Sequence, residues 1–350
     1  MRADSLRENN NHVIVFMERI FWADHVKAFA IWLMVLCHFG MQNEYWETVI
    51  YSFHMPIFFF LSGYFEKGRG YSYSMLKRTA KSLLIPYFFF SICAFSICWV
   101  SPYLHPELYH YGSILENFMK ASVGMFLMED KVRSYAFMPL GPLWFLVALF
   151  WVRVIFSIGY SFWSSRRLWL LPFATILILI FCLRFPFFSL DSACLALPLY
   201  CAGYLCRQQD ILRSVGRNLW GVCFTLASVC YVLFLSVRNG KVDMDGCLYG
   251  DSLLMFYVNA IVGSLSCIAF FKLLSIKSLY LNRIGASTIT ILGTHTYFGK
   301  VGYVIGVLLL SISPSTPPVW FPFLLSVIAV PVGGEIHSWL SRKYPFVLGK

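Results

Sequence analysis

Charged side chains are scarce in this sequence. Asp, Glu, Lys and Arg make up 13% of the chain, whereas hydrophobic residues make up 59%. A typical soluble domain has about 25% charged and about 45–50% apolar residues, so this composition excludes an ordinary soluble domain and predicts an integral membrane protein. The formal net charge is +11, but in a membrane protein the distribution of positive charge between loops matters more than its sum. We therefore expect the lipid bilayer, and no nucleic acid, as a partner.

The sequence also lacks the motifs of several soluble enzymes. It has no phosphate-binding glycine loop, no Cys-x-x-Cys pair and no His-Glu-x-x-His motif. Its histidines are scattered singly, which does not favour a zinc site, so no metal is expected. The 11 cysteines lie almost all in apolar segments, with only Cys247 in a clear loop, and a disulfide scaffold is not expected. No cleavable signal precedes the first apolar segment, which is expected to act as an uncleaved anchor.

Apolar stretches of about 20 residues, the length that crosses a bilayer, recur along the chain. They predict an all-α polytopic membrane protein with about ten transmembrane helices. These helices are expected at residues 24–41, 50–65, 82–101, 143–162, 168–187, 193–206, 218–237, 252–273, 286–310 and 319–341, with an interruption of the ninth at Gly299, Lys300 and Gly302. A transmembrane domain over 24–341 would then follow a cytoplasmic segment, 1–23, and precede a cytoplasmic tail, 342–350.

Lysine and arginine are shared unequally between the two sets of loops. With a cytoplasmic amino terminus, most loop cations fall in inner segments such as 67–81, while outer loops carry acids such as Glu47 and Asp243. The excess of positive charge on the inner side predicts that both termini are cytoplasmic. We expect a multi-pass protein of the cell (inner) membrane.

The first apolar helix carries three ionisable residues on one face. Eleven steps of 100° from Lys27 to His38 end about 20° past three full turns, and Asp24 lies on the same side. Charged groups in a lipid-embedded helix normally face a polar cavity and mark a functional site. A neutral imidazole can take a proton from a hydroxyl and return it to a leaving group, so His38 is the candidate general base. The alternative is that His38 only bonds to a neighbouring helix.

Two further histidines are candidates for the same site. His54 lies at the outer end of the second helix, at a depth similar to that of His38, and His295 falls midway along the ninth helix. Both are candidate substrate-binding residues, as is Trp144, whose ring could stack on a sugar. The alternatives are that either histidine bonds only to a neighbouring helix, and that Trp144 is one of the aromatic residues common at membrane interfaces.

A basic cluster precedes the third helix. Lys77 and Lys81 are four residues apart and so share a helix face, with Arg78 beside them. Such a cluster at the inner mouth could hold phosphates through charge and hydrogen bonds. The alternative is that these residues only enforce topology. Arg153 is a deeper cation, midway along the fourth helix, and is expensive in lipid unless it pairs or faces a cavity.

Four stretches of this sequence resemble one known family. They are the first helix, with Asp24, Lys27 and His38, and the segments FHMPIFFFLSGY (53–64), KRTAKSLLIPY (77–87) and GPLWFLVALF (141–150). Together they are similar to the acyltransferase-3 family of membrane O-acyltransferases, particularly the fucose 4-O-acetylase-like branch. The segment 282–295 looks like the family's late helix, which ends in His.

The resemblance implies a function and roles for residues. The family usually moves acetyl from acetyl-CoA to hydroxyls of extracytoplasmic carbohydrates, so acetyl-CoA is expected as a co-substrate, with no permanently bound cofactor, and a polysaccharide or glycolipid as acceptor. The family's catalytic His implies His38, and its preceding basic residue implies Lys27. Where the family often has Arg-x-x-x-Arg, this chain has Lys77 and Lys81, which keep the charge without the bidentate geometry.

Topology and resemblance together give one hypothesis and one rival. In the hypothesis, coenzyme A phosphates lie on Lys77, Arg78 and Lys81, Asp24 holds Lys27 in place, and His38 activates the sugar hydroxyl. The rival is a transporter or flippase for a lipid-linked sugar, which also needs intramembrane charges and broken helices. A purely structural scaffold or receptor would leave the ionisable face of the first helix unexplained.

Overall fold

The computed structural model describes residues 21–41, 43–104, 125, 141–162, 187–214, 218–313 and 317–350 and is mostly helical. Three features of the sequence analysis lie outside these residues: most of the segment 1–23, the expected helix 168–187 and most of the loop between the third and fourth helices. The described helices are α1 (21–38), α2 (Glu44–Tyr51), α3 (Pro56–Tyr64), α4 (Tyr73–Leu104), α5 (Trp144–Phe162), α6 (Leu190–Gln208), α7 (Ile211–Ser214), α8 (Leu219–Leu235), α9 (Leu253–Leu274), α10 (Leu279–Ala286), α11 (Thr288–Leu310) and α12 (Trp320–Lys343).

Every predicted transmembrane segment within the described residues contains a helix. Four stretches are long and apolar enough to cross a membrane: Trp144–Phe162, Leu219–Asn239, Leu253–Leu274 and Trp320–Lys343. The chain is therefore a helical membrane protein. The total of ten spans and the position of the termini stay predictions.

The second predicted helix is two helices, α2 and α3, joined by a turn at 52–55. Pro56 begins α3, where its missing N–H costs no helical hydrogen bond. His54 lies in the turn, and its backbone N–H donates to the Ile50 carbonyl oxygen at 2.9 Å. The break therefore places His54 between two short helices rather than on one continuous face.

The expected interruption of the ninth helix at Gly299, Lys300 and Gly302 is wrong. Helix α11 runs without a break from Thr288 to Leu310, and the chain bends before it, at Ser287. The two glycines serve close packing instead. A Cβ on Gly299 would lie 2.8 Å from the Phe39 ring, and one on Gly302 would lie 2.6 Å from Leu325.

The closest helix crossing joins α3 to α6. A Cβ on Gly63 would lie 1.9 Å from the Tyr200 carbonyl oxygen, and one on Gly203 would lie 2.0 Å from the Phe60 carbonyl oxygen. Small residues allow such backbone-to-backbone contact between membrane helices. This crossing fixes the position of α3, which separates the two ends of the site described below.

A short hairpin that the all-α prediction did not include joins α8 to α9. Strand β1 (Val242–Asp243) pairs antiparallel with β2 (Leu248–Tyr249), with Asp243 opposite Leu248. Asn239 stabilises the hairpin base, because its amide donates to the Tyr249 carbonyl oxygen at 2.7 Å and its side-chain oxygen accepts from the Ser252 N–H at 2.9 Å.

The carboxyl-terminal residues pack back onto the helices. After α12, a single 3-10 turn spans Pro345–Leu348, with Val347 and Leu348 buried. Gly349 lies against the backbone of Lys81 in α4. The segment predicted as a tail, 342–350, is thus part of the packed structure.

Candidate active site

Helix α1 carries functional groups at both ends of the helical bundle. Near its start, Asp24 and Lys27 form an ion pair with a nitrogen–oxygen distance of 2.5 Å. At its end lies His38, whose side chain is exposed. The rest of this helix is mostly buried, with Val26, Met34 and Val35 at 0% exposure. One rigid element therefore holds the Lys27 ammonium and the His38 imidazole about 16 Å apart along its axis.

A cavity of about 520 Å³ opens beside Lys27. We call this region the basic end, because Lys67, Arg69 and Arg78 line the cavity together with Lys27. A cavity of this size is within the range of small-molecule and cofactor sites, about 300–1,000 Å³. Its excess of cations favours an anionic ligand.

The basic cluster on α4 divides between two helix faces. Arg78 lines the cavity, as does its neighbour Thr79. Met75 and Ser82, about one turn before and one turn after Arg78, line it as well. Lys77 and Lys81 are exposed and do not belong to that lining. The sequence pattern therefore found the region, but the helix phase makes Arg78 the one member of the predicted trio that faces the cavity.

The deeper wall of the cavity contains an unexpected polar group. Tyr200 is fully buried and donates a hydrogen bond of 2.7 Å to Glu66. Arg153 also lines the cavity, and Tyr200 lies close enough to both Glu66 and Arg153 to interact with their charges. The Nε of Arg153 is buried and has no hydrogen-bond partner among the described residues. The sequence analysis identified the depth of Arg153 but not its neighbours.

Imidazole rings meet at the opposite end of α1. The rings of His38 and His295 pack edge to face, with centroids 5.2 Å apart. His54 is buried, packs against Tyr51 at 4.9 Å and lies close enough to His38 for an electrostatic interaction. We call this region the histidine end. The three histidines chosen from the sequence are thus brought together by α1, the turn before α3, and α11.

The two buried imidazoles have fixed proton positions. The Nδ1 of His54 lies 2.8 Å from the Ile50 carbonyl oxygen, and the Nδ1 of His295 lies 3.0 Å from the Leu292 carbonyl oxygen. A carbonyl oxygen can only accept, so each Nδ1 carries the hydrogen and each Nε2 is left with a lone pair. The Nε2 of His295 is buried without a partner in the described residues. It is available to accept a hydrogen bond.

Asp243 is a member of this site that the sequence analysis did not select. It lies in the hairpin and interacts electrostatically with both His38 and His54. An acid in an outer loop gives no periodic signal, and the hairpin that places Asp243 within electrostatic reach of the histidines was not predicted. A carboxylate at this distance can stabilise an imidazolium once a proton has moved to the ring.

The remaining candidate from the sequence is Trp144. Trp144 is 8% exposed and packs against Phe59 and Phe145, so its ring face is covered in this structure. Among the described residues, no group of three or more His, Cys, Asp or Glu side chains is arranged to hold a metal ion.

Two aromatic side chains belong to the cavity lining. Phe58 and Phe145 contact each other with ring centroids 5.7 Å apart. Phe58 is four residues beyond His54 along the chain, so among the lining residues of α3 it is the one nearest in sequence to the histidine end.

Comparison with known proteins gives one match. The sequence profile of the acyltransferase-3 family, described as an acyltransferase domain, matches residues 20–334. This range includes α1 with Lys27 and His38, the cavity and the histidine end. No curated protein and no solved structure matches the chain.

Proposed function

Because the chain belongs to the acyltransferase-3 family and is therefore an acyltransferase, we propose that it moves an acetyl group from cytoplasmic acetyl-CoA to a hydroxyl of an extracytoplasmic carbohydrate. The acceptor is a polysaccharide or a glycolipid. The protein is a multi-pass protein of the cell (inner) membrane with about ten spans and both termini in the cytoplasm, so the basic end faces the cytoplasm. The observation that carries this proposal is that one helix, α1, bears Lys27 at the basic end and His38 at the histidine end.

The basic end suits the donor. Coenzyme A carries several phosphate charges, and the cavity presents Lys27, Lys67, Arg69 and Arg78. Arg78 can offer a phosphate two parallel N–H groups, which a lysine cannot. The Asp24 carboxylate keeps the Lys27 ammonium at the cavity wall, since a paired charge is far less costly in a membrane than a lone one.

The histidine end suits the chemistry. His38 is exposed and so accessible to a sugar, and as a neutral imidazole it takes the proton of the sugar hydroxyl as the oxygen attacks the thioester carbonyl. The carbon–sulfur bond then breaks, and the imidazolium returns its proton to the departing thiolate. Asp243 stabilises the imidazolium during this step. The lone pair on the His295 Nε2 can accept a hydrogen bond from the incoming hydroxyl or from a water molecule.

Transfer requires the acetyl group to pass the aromatic pair. Phe58 and Phe145 are 8% and 9% exposed and in contact at the cavity wall, so in the proposed route the pair separates before the thioester reaches His38. The proposal therefore includes an aromatic barrier between donor site and acceptor site, which also limits hydrolysis of the thioester.

The direct test is transfer by the purified protein. The full chain in lipid nanodiscs is given isotope-labelled acetyl-CoA and surface glycans from cells that lack the gene, and acetylated product is detected by mass spectrometry. We expect acetylated glycan with the parent protein and none with His38→Ala. Equal transfer by the two proteins, or a parent that coenzyme A does not stabilise against heat, would contradict the proposal. The second result would favour the alternative function, a transporter or flippase for a lipid-linked sugar.

A further inference from the structure

The cavity lining contains a cation and an anion that do not pair with each other. Arg153 and Glu66 both line the cavity, and within the described residues they form no ion pair. One carboxylate oxygen of Glu66 accepts from the buried Tyr200 hydroxyl at 2.7 Å, and the other accepts from the Lys67 backbone N–H at 2.8 Å. The Nε of Arg153 is buried with no partner in the described residues. An unsatisfied charged donor in a membrane-spanning helix is costly unless a ligand or water completes it.

Arg153 lies midway along α5, where it could contact the middle of a long ligand. Helix α5 has Trp144 beside Phe59 and, at its other end, Ser161 bonded to the Tyr71 N–H at 2.7 Å. Arg153 is nine residues from Trp144 and nine from Phe162, about 13 Å along the axis from either. A ligand that spans from the basic end to the histidine end passes Arg153 halfway.

The mixed charge of this wall selects the chemistry of the group that lies there. A phosphate would suffer repulsion from the Glu66 carboxylate, whereas the rim cations Lys67, Arg69 and Arg78 suit it better. An amide has a carbonyl oxygen that accepts from a guanidinium and an N–H that donates to a carboxylate. The arm of coenzyme A between its phosphates and its sulfur, the pantetheine, contains two such amides.

From this arrangement we infer that Arg153 and Glu66 form a subsite for the amides of the donor's pantetheine arm, with Tyr200 as the positioning residue for Glu66. The inference rests on the proposed function, because it takes a pantetheine thioester as the donor. Arg153 donates to an amide carbonyl oxygen and Glu66 accepts from an amide N–H. The subsite selects donors that carry a pantetheine arm over acyl donors that lack it, and it holds the arm on course for His38.

Equilibrium binding to the full chain in nanodiscs tests the subsite with two probes. Coenzyme A has three phosphates and pantetheine, whereas 3′-phosphoadenosine 5′-diphosphate, the phosphate probe, has the same three phosphates without pantetheine. For Arg153→Met we expect about tenfold or greater loss of coenzyme A affinity, the scale of a hydrogen bond to a charged group, with the affinity for the phosphate probe unchanged. The matched control is Arg238→Met, which removes an arginine outside the cavity lining and should change neither affinity.

Second variants keep the test decisive if Arg153→Met does not fold. Glu66→Gln preserves shape but removes the negative charge, and Tyr200→Phe removes only the hydroxyl that holds Glu66; each should weaken binding of coenzyme A more than binding of the phosphate probe. Equal losses for both probes would overturn the subsite, because Arg153 would then serve phosphates. Unchanged affinity for both probes would also overturn it. A parent protein that binds the phosphate probe and coenzyme A equally would overturn the subsite alone, while one that binds neither would overturn the proposed function as well.

Discussion

His38 and His295 pack edge to face with ring centroids 5.2 Å apart, although they are separated by most of the chain. One ring is exposed and the other is fully buried. The buried ring has its Nδ1 occupied by backbone carbonyl oxygens and its Nε2 unpartnered among the described residues. The pair thus places an exposed imidazole, His38, beside a buried ring nitrogen, the His295 Nε2, that is set up as a hydrogen-bond acceptor.

Loss of the His38 imidazole should stop the chemistry without stopping donor binding. Removing a general base typically costs about 10²–10⁴-fold in rate, so His38→Ala should lower acetyl transfer by that factor while coenzyme A still raises the melting temperature. The matched control is His25→Gln in the same helix; in the described part of the chain the His25 ring hydrogen-bonds to the Ser278 carbonyl oxygen. Full transfer by His38→Ala at equal amounts of folded protein would remove His38 from its role.

Replacement of His295 by Asn separates its two nitrogens. Asn can keep the donation to the Ile291 and Leu292 carbonyl oxygens but has nothing in the place of Nε2. We expect His295→Asn to fold with nearly the parental melting temperature and to lose at least about tenfold in transfer rate, since a lone pair near the reacting hydroxyl is removed. An unchanged rate would assign His295 to packing alone.

The Asp24–Lys27 pair should show energetic coupling. Neighbouring charges that share an interaction couple by about 0.5–3 kcal/mol, so the double variant Asp24→Asn/Lys27→Met should be destabilised by that much less than the sum of the two single variants. The contrasting pair is Arg283–Glu335, which is 55% and 63% exposed in its side chains and should couple by about 0–1 kcal/mol. A double-mutant cycle on thermal or denaturant stability measures both. Equal coupling in the two cycles would mean that Asp24 does not hold Lys27.

The helix phase of α4 predicts unequal roles for adjacent cations. Arg78 lines the cavity and Lys77 does not. Arg78→Met should weaken coenzyme A binding by about ten- to a hundredfold, because hydrogen bonds to charged groups contribute about 1.5–3 kcal/mol and about 1.4 kcal/mol is a factor of ten. Lys77→Met, the matched control, should change affinity by much less. The reverse order would place the phosphates on the outer face of α4.

The α3–α6 crossing should tolerate no added methyl group. The Cβ that Gly203→Ala adds would lie 2.0 Å from the Phe60 carbonyl oxygen. The two helices must therefore separate, at a cost of about 1–3 kcal/mol. The shift should also break the Tyr200–Glu66 hydrogen bond. A comparison is Gly334→Ala, where a Cβ meets only the flexible end of Ile284. Thermal unfolding of both variants should show the larger loss for Gly203→Ala.

Sequence periodicity predicted the helices well because membrane helices must bury a long apolar stretch. The segments at 143–162 and 252–273, for example, differ from α5 and α9 by only one residue at an end. The break at Gly299 and Gly302 was wrong because glycine in a membrane helix also permits close packing. In sequence the two uses of glycine look the same, and only the neighbours Phe39 and Leu325 distinguish them.

Most of the candidate residues could be selected from the sequence, but most of the contacts between them could not. Lys27 and His38 lie on one helix, so their spacing alone fixed their relation. His54 and His295 depend on contacts across helices, and Asp243 depends on a hairpin of two-residue strands that has no apolar alternation. Glu66 and Tyr200 meet across the α3–α6 crossing, a contact between residues 134 positions apart that periodicity cannot report.

The rigidity of α1 sets a minimum length for the donor. The backbone positions of Lys27 and His38 are about 16 Å apart along the helix axis, so under the proposed function a donor held beside Lys27 must extend over a distance of that order to bring its acyl carbon to His38. Acetyl phosphate, or a thioester of a short thiol, is too small to bridge that gap while anchored. The length of α1 between Lys27 and His38 thus sets the length of donor that fits. A shorter donor would require the cations that anchor it to lie closer to His38.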